Sequence, residues 1–385
     1  MLMHGNLQKS EHPSFVSLYF HVPFCSKKCP YCHFYVTTGK QEAHTLYIES
    51  LIQEWRQKLP LLKGRVIYSI YFGGGTPSQL SPSLYLPLFE ELLNSGLTFH
   101  PDVEITFEAN PEDLSPNYLT LLKTLPINRL SMGVQSFDDP TLLLLNRQHN
   151  AQKAIEAVIN ADALGFSNIS IDLMYDLPHQ TLSSWEYTLN SLKPLPISHL
   201  SLYNLTIEPH TLFYKKRHSL EPFIPDDTKS LHLLTTAIET LEELGLTRYE
   251  ISAFGKPGKH SKHNTGYWLG RDFLGYGPSA FSYFDKKRFR NICHLNEYTK
   301  RMRDNRPAID FEEQLEEEAS LRELLVVRLR LKEGLYLPSF PSFPQTLQTE
   351  ISSLEHEGYL AHSHDHLSLT SKGFLFYDTV AEALI

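Results

Sequence analysis

Cysteine is scarce in this chain, with four among 385 residues, and the opening residues lack the apolar segment of a secretory leader because His4, Lys9, Glu11 and His12 interrupt them. A disulfide framework is therefore not expected, and the pattern reads as a reducing, cytoplasmic compartment. Long hydrophobic runs are missing as well: no stretch approaches the roughly eighteen uninterrupted apolar residues that a membrane span requires. Positive charge is in deficit. Thirty-five Lys and Arg against 44 Asp and Glu leave a net charge of -9, which argues against nucleic acid or an anionic membrane as a default partner. Two nucleotide signatures are also lacking. The glycines at 73–75 are not followed by Gly-Lys-Ser/Thr, and they do not fit the dinucleotide fingerprint. What the chain does have is core material, 41% hydrophobic residues, enough for about two or three domains without covalent staples.

Three of the four cysteines fall in one short run, Cys25-Ser-Lys-Lys-Cys29-Pro-Tyr-Cys32. That spacing can hold three irons of a 4Fe-4S cluster and leave the fourth open to a substrate or cofactor. A zinc knuckle completed by His33 and a disulfide-bearing loop are the other readings of the same run. Cys293 stands far away in sequence and reads as an ordinary buried or half-buried thiol.

The first two-thirds of the chain alternates short β-rich runs with helical patterns. Phe15–Phe20 precedes a helix around Ala43–Leu59, and Val66–Phe72 precedes Ser83–Ser95. The rhythm continues through Val103–Glu108, Asn128–Val134, Ile169–Leu173 and His199–Tyr203, interleaved with Ser115–Leu122, Ala151–Ala163 and Ser183–Leu192. Six such units predict an α/β fold, a full or partial parallel (β/α)6 barrel over 1–210 with its site on the carboxyl side of the strands. A different texture over 211–305, with a helix at Leu231–Leu244 and the aromatic-rich Tyr249–Tyr283, predicts an α+β extension. From 306 to 385 a Leu- and Glu-rich helix from about Phe311, a second helix at Leu347–Glu357 and a short hairpin predict a winged-helix-like module. The acidic helix around Glu312–Glu318 favours packing or partner docking over DNA binding.

Several polar residues break apolar strands. Tyr71-Phe-Gly73-Gly74-Gly75-Thr76-Pro77 supplies three residues without Cβ, able to approach a ligand closely or to make a tight structural turn. Glu108, Gln135, Asp172 and Asn204 each sit at a strand end in apolar surroundings. A charge there is costly unless it meets a ligand or a partner, and four in phase with the β/α rhythm point to a common pocket. Arg147, in Asn-Arg147-Gln-His149, suits a carboxylate through its bidentate guanidinium or is a solvated helix charge.

The ordered set Cys25–Cys32, GGGTP at 73–77, Gly-Val-Gln135-Ser-Phe, Arg147-Gln-His149 and Ile171-Asp172-Leu-Met-Tyr-Asp-Leu-Pro-His-Gln-Thr resembles the radical S-adenosylmethionine proteins of the oxygen-independent coproporphyrinogen III oxidase-like family. The likeness runs from Val16 to Thr370, nearly the whole chain. It implies a radical S-adenosylmethionine barrel with a 4Fe-4S cluster on Cys25, Cys29 and Cys32, whose open iron takes the amino and carboxylate groups of S-adenosylmethionine. Tyr19, Gly74, Gly75, Thr76, Glu108, Gln135, Arg147 and Asp172 would surround that cofactor. By charge, Glu108 suits its amino end, Arg147 its carboxylate and Asp172 its ribose hydroxyls.

Two departures bear on activity. The oxidases of the family carry another cysteine two residues after the third ligand, where this chain has Phe34, and only 24 residues precede Cys25, little room for the oxidases' longer amino-terminal extension. Both features disfavour coproporphyrinogen oxidation. The heme-chaperone branch is resembled in Ser201-Leu-Tyr-Asn-Leu-Thr-Ile-Glu-Pro, Tyr249-Glu-Ile-Ser and Lys262-His263-Asn264-Thr-Gly-Tyr267-Trp268, although its common acidic residue after the third cysteine is His33 here. The resemblance implies heme as cargo, a haemoprotein acceptor, respiratory and membrane-associated by expectation, and an electron donor. His263 can ligate heme iron while Tyr267 and Trp268 cover the macrocycle, or the three can form a packed loop around a hydrogen-bonded histidine. A homodimer is compatible with the sequence but has no signature of its own. The enzyme alternatives are radical decarboxylation of coproporphyrinogen III and a radical reaction on another substrate.

Overall fold

The computed structural model describes residues 14–38 and 41–385; the leader reading on His4, Lys9, Glu11 and His12 lies outside the described residues. Six parallel strands come first: β1 (Phe15–Val22), β2 (Val66–Gly74), β3 (Thr98–Ala109), β4 (Arg129–Gln135), β5 (Ile169–Tyr175) and β6 (His199–Asn204). They pair in sequence order, each parallel to the next. The expected partial (β/α)6 barrel is therefore present.

Its strands alternate between an apolar outer face and a polar lumen face, interrupted by register shifts such as those at Val16/Ser17 and Ile67/Ser69. In β1, Val16, Leu18, Phe20 and Val22 are fully buried among apolar neighbours, with Phe20 stacked on Phe72 at 4.8 Å. Ser17, Tyr19 and His21 face the lumen beside Ser69 and Tyr71. The outer helices cover the apolar face with a 3.6-residue stripe. Helix Ala151–Ala163, capped by the Asn150 side chain on the Lys153 amide, buries Ala154, Ala157, Val158 and Ala161, and helix Pro82–Leu93 buries Tyr85, Leu88, Phe89 and Leu92. Each large apolar side chain sealed in this layer contributes about 1.5–3 kcal/mol.

The 211–305 segment covers both free edges of the six-stranded sheet. The hairpin β7 (Thr247–Glu250) and β8 (Ala253–Gly255) adds antiparallel to β6. On the other side β9 (Phe273–Tyr276) runs parallel to β1, followed by β10 (Phe281–Phe284) and β11 (Lys287–Asn291). Covering the edges removes unpaired backbone groups that would otherwise template association. The sheet ends at β12 (Ile309–Gln314), antiparallel to β11. This corrects the acidic helix expected around Glu312–Glu318. Lys287–Glu312, Arg288–Glu313 and Arg290–Asp310 pair across the two strands, so the acidic run is matched to a basic neighbour strand, and the helix starts only at Glu317.

Helices Glu317–Leu329, Gln345–His356 and Tyr377–Leu384 pack on a small antiparallel sheet of β13 (Leu335–Tyr336), β14 (Leu360–Ser363) and β15 (His366–Leu369), the winged-helix-like arrangement. They share a core that includes Leu325, Leu329, Leu347, Leu367 and Val380. Among the described residues, no helix is long and apolar enough to cross a membrane.

Candidate cofactor site at the carboxyl ends of the barrel strands

The strand ends and the cysteine loop enclose a cavity of about 440 Å³, lined by Cys25, Cys29 and Cys32 together with Gly74, Gly75, Thr76, Glu108, Gln135, Arg147, Asp172 and Asn204. Backbone pairing fixes the loop. The Gly75 amide donates to the Val22 carbonyl at 2.8 Å and the Thr76 amide to the Phe24 carbonyl at 2.7 Å, while the Cys25 amide donates to Thr37 at 3.0 Å. These bonds set Cys25 Sγ 3.3 Å from Thr76 Oγ1. The glycines are demanded by packing: a Cβ on Gly74, whose φ is +108°, would lie 2.4 Å from His21 Nδ1, and one on Gly75 would lie 2.7 Å from the Val22 carbonyl. The GGG run thus lets β2 press against β1 where the cysteine loop begins.

Arg147 is drawn inward and is not a solvated helix charge. Its Nη2 donates to Asn110 Oδ1 and to the Gly133 carbonyl, both at 2.6 Å, and its Nη1 reaches Cys29 Sγ at 3.5 Å. His149, two residues on, is locked between Glu112 (2.9 Å) and the Val134 carbonyl (3.1 Å). Glu108 accepts from the Tyr71 hydroxyl at 2.6 Å and from the Gly74 amide at 3.1 Å. Burial nonetheless pushes its carboxyl up to about 7, with the Tyr71 bond pulling the other way and Asp172 adding to the rise. Burial likewise raises Asp172 to about 6. Arg147 and Asp172 both line the cavity, and Arg147 Nε and Asp172 Oδ1 are buried behind its surface without a hydrogen-bond partner.

The cysteines are free thiols, each half-buried. Burial raises Cys25 to about 11 and lifts Cys32 above the ordinary thiol range, so a cation is needed to stabilise the thiolates at neutral pH. Among the described residues, no group of three or more His, Cys, Asp or Glu side chains is gathered as around one metal ion; in a four-iron cluster each thiolate ligates its own iron. Three thiols on one loop, a cationic guanidinium beside Cys29 and the carboxylates of Glu108 and Asp172 in the same cavity lining fit a cluster-bound amino acid. His33 is exposed and stacks on Phe34 at 4.5 Å, and Cys293 is half-buried against Ser279.

Two groups of expected site residues lie elsewhere. Tyr19 does not line the cavity; it stands in the lumen below, its hydroxyl 3.0 Å from His21 Nδ1. His263, Tyr267 and Trp268 lie at the opposite end of the barrel. Helix Lys262–Trp268 plugs the lumen floor, its first amides donating to Glu104 at 3.1 and 3.0 Å. His263 is 1% exposed, with Nδ1 2.9 Å from Ser69 Oγ and Nε2 2.8 Å from the Tyr267 hydroxyl. Burial, helped by Arg271 and Arg129, lowers its pKa to about 3. Neither nitrogen is free for iron in this conformation. Tyr267 packs edge-on against Phe273, and Trp268 lies 4.2 Å beneath the Arg330 guanidinium, joining the floor to the carboxyl-terminal helices.

The motifs did not single out the supports of the site: Tyr71 behind Glu108, Asn110 on Arg147, and the floor residues Glu104, Arg129 and His199. The signal available for them was period-two alternation, since Ser69/Tyr71/Gly73, Glu104/Thr106/Glu108 and Arg129/Ser131/Gly133 all face one way.

A radical SAM superfamily model matches residues 19–192, and a HemN C-terminal domain model matches residues 315–376. Coproporphyrinogen III oxidase (HemN) from Escherichia coli, a radical SAM enzyme, superposes with a TM-score of 0.82 over 97% of this chain and 90% of its own, at 25% identity. Fold and sequence together define a radical SAM protein of the HemN type. The heme chaperone HemW of Lactococcus lactis is 32% identical over 382 residues, covering 96% of this chain and 97% of that protein. HemW of Bacillus subtilis is 32% identical over 381 residues, covering 96% and 99%. The chain belongs to the HemW family.

Proposed function

We propose that this protein is a heme chaperone: it binds heme, carries a 4Fe-4S cluster on Cys25, Cys29 and Cys32, holds S-adenosylmethionine in the barrel cavity, and passes heme to a haemoprotein acceptor. The observation that carries the reading is the end-to-end likeness to proteins named heme chaperones, 96% of this chain, in a chain with Phe34 where the oxidase pattern has a further cysteine. When bound, the cluster and S-adenosylmethionine supply one-electron reductive chemistry. The chain's own contribution is positional and electrostatic. Glu108, held by Tyr71, offers a carboxylate to the N–H of an amino group. Arg147, beside Cys29, offers its guanidinium to a carboxylate, and Asp172 offers its carboxylate to a hydroxyl. Thr76, Gly74, Gly75 and Gln135 close the wall beside them. Tyr19 acts from below through His21.

The 1–210 barrel holds this site, 211–305 closes its edges and floor, and the 306–385 module provides the surface for an acceptor or electron donor; a homodimer is compatible with this division. The test is anaerobic incubation of the cluster-reconstituted protein with reductant and S-adenosylmethionine, separately with coproporphyrinogen III and with heme. Heme that binds and transfers to an apo-haemoprotein, alongside unchanged coproporphyrinogen, is the expected result. Loss of two carboxyl groups from coproporphyrinogen, resolved by mass spectrometry, would overturn it in favour of the oxidase.

A further inference from the structure

With His263 sealed in the barrel floor, the cargo needs another place, and a second cavity has the right chemistry. A groove of about 510 Å³ lies beside the first and shares Lys28, Cys29, Cys32 and Asn146 with it. It forms because the segment after β6 folds back on the cysteine loop. The Phe213 amide donates to the Pro30 carbonyl at 2.9 Å, and Phe213 packs with Leu145, Met174, Leu177 and Leu205 in a small separate core.

The walls of the groove are apolar and open. Leu143 is 80% exposed and Leu212 49%, and the two share the lining with Leu144, Phe213 and Leu220, an apolar surface on which a ligand can lie. The charges in the lining are of one sign. Lys28 and Lys216 both line the groove, and among the described residues no Asp or Glu does, although the chain as a whole carries -9. The groove also holds an uncommitted imidazole. His210 is exposed and, among the described residues, has no hydrogen-bond partner. A tight turn presents it: φ at His210 is +67°, and the Thr211 side chain caps the next helix turn on the Tyr214 amide at 3.1 Å.

An apolar body, two carboxylates and an iron with an open axial position are the features of a free heme. Resting on the heme-chaperone reading, we propose that heme binds in this groove, with His210 ligating the iron and Lys28 and Lys216 pairing with its carboxylates. The cargo then lies against the outer side of the cysteine loop, next to the cluster ligands Cys29 and Cys32 and outside the barrel lumen.

The test titrates the purified full chain, reconstituted anaerobically, with hemin and in parallel with iron-free protoporphyrin IX, following the porphyrin absorption against a blank lacking tetrapyrrole. His210→Gly suits the left-handed backbone and so keeps the turn. It is expected to abolish the imidazole-ligated spectrum and weaken hemin at least tenfold while leaving protoporphyrin IX unchanged. Lys28→Glu with Lys216→Glu should weaken both ligands about tenfold or more. His263→Gln should match the unsubstituted chain. An unaltered hemin spectrum and affinity in His210→Gly would overturn the assignment while the chaperone reading stood. Failure of the unsubstituted chain to bind hemin at all would remove both.

Discussion

Glu108 makes the affinity for an ammonium-bearing cofactor depend on pH near neutrality. A glutamate ordinarily titrates near 4.5; burial pushes this one to about 7, although the Tyr71 hydroxyl and the Gly74 amide both favour the ionised form. At pH 6 only about a tenth of the apo-protein carries the charge, and at pH 7 about half. Over the same interval the ligand's α-amino group remains mostly protonated. In the cluster-free protein, where no iron takes the amine, if only ionised Glu108 pairs with that ammonium, affinity for S-adenosylmethionine rises about fivefold from pH 6 to pH 7, or ~1 kcal/mol, and binding at pH 6.5 releases protons. Asp172, near 6, steepens the dependence below that range. Glu108→Gln should flatten the rise and weaken binding by about 2 kcal/mol, the worth of a charge-assisted hydrogen bond. Calorimetry in two buffers of different ionisation enthalpy reads both affinity and proton release. A wild-type affinity flat between pH 6 and 7, or a Glu108→Gln protein with the same slope as wild type, would refute the reasoning. For the fold the sign is opposite: between 4.5 and 7 the folded chain holds a proton that the unfolded chain has lost, so Glu108 lowers stability as pH rises through that window.

Serine at Cys25, Cys29 or Cys32 should each abolish the visible absorption of a reconstituted cluster, whereas Cys293→Ser leaves it intact. Gly74→Ala should cost about 3 kcal/mol, because it combines a left-handed φ with a Cβ 2.4 Å from the His21 ring; Gly64→Ala, equally left-handed but with no heavy atom within 4 Å, should cost about 1. Equal urea midpoints for the two would contradict the packing argument. His263→Leu should cost about 1–3 kcal/mol by orphaning the buried Tyr267 hydroxyl, while Ser69 Oγ keeps its bond to Ser17. Because the folded pKa of His263 is about 3 against an ordinary 6.5, the unfolded chain gains a proton that the folded one refuses, and stability falls as pH drops from 6.5 towards 3. His263→Gln, which keeps two hydrogen-bonding ends, should make that fall shallower when urea midpoints at pH 7 and pH 5 are compared.

The barrel was legible because its strands and helices are locally encoded. Val16, Leu18, Phe20 and Val22 alternate with polar neighbours, and the stripe Ala154, Ala157, Val158 and Ala161 repeats with the helical period; either pattern can be read within a single element. The pocket was partly legible for the same reason, since Glu108, Gln135 and Asn204 stand at the carboxyl ends of β3, β4 and β6 and line one cavity; Asp172 lines it too, but from the middle of β5 and not from the strand end expected for it. The acidic pair Glu312–Glu313 misled because a local preference for helix yields to the backbone ladder that β12 forms with β11, a strand more than twenty residues earlier, with the exposed ion pairs to Lys287 and Arg288 only a minor addition.

Sequence alone settled what is covalently local: the cysteine spacing, the glycines that admit a close strand crossing, the polar residues placed at strand ends. Tertiary structure decided which groups are free to act. His263 and His210 are the same side chain, and residue type cannot separate them. Folding closes Ser69 and Tyr267 around the first and leaves the second open beside two lysines. Burial likewise turns Glu108 from an ordinary carboxylate into one that titrates near neutrality. Desolvation and hydrogen-bond saturation depend on everything packed around a group, and that surrounding is assembled from strands and helices far apart along the chain.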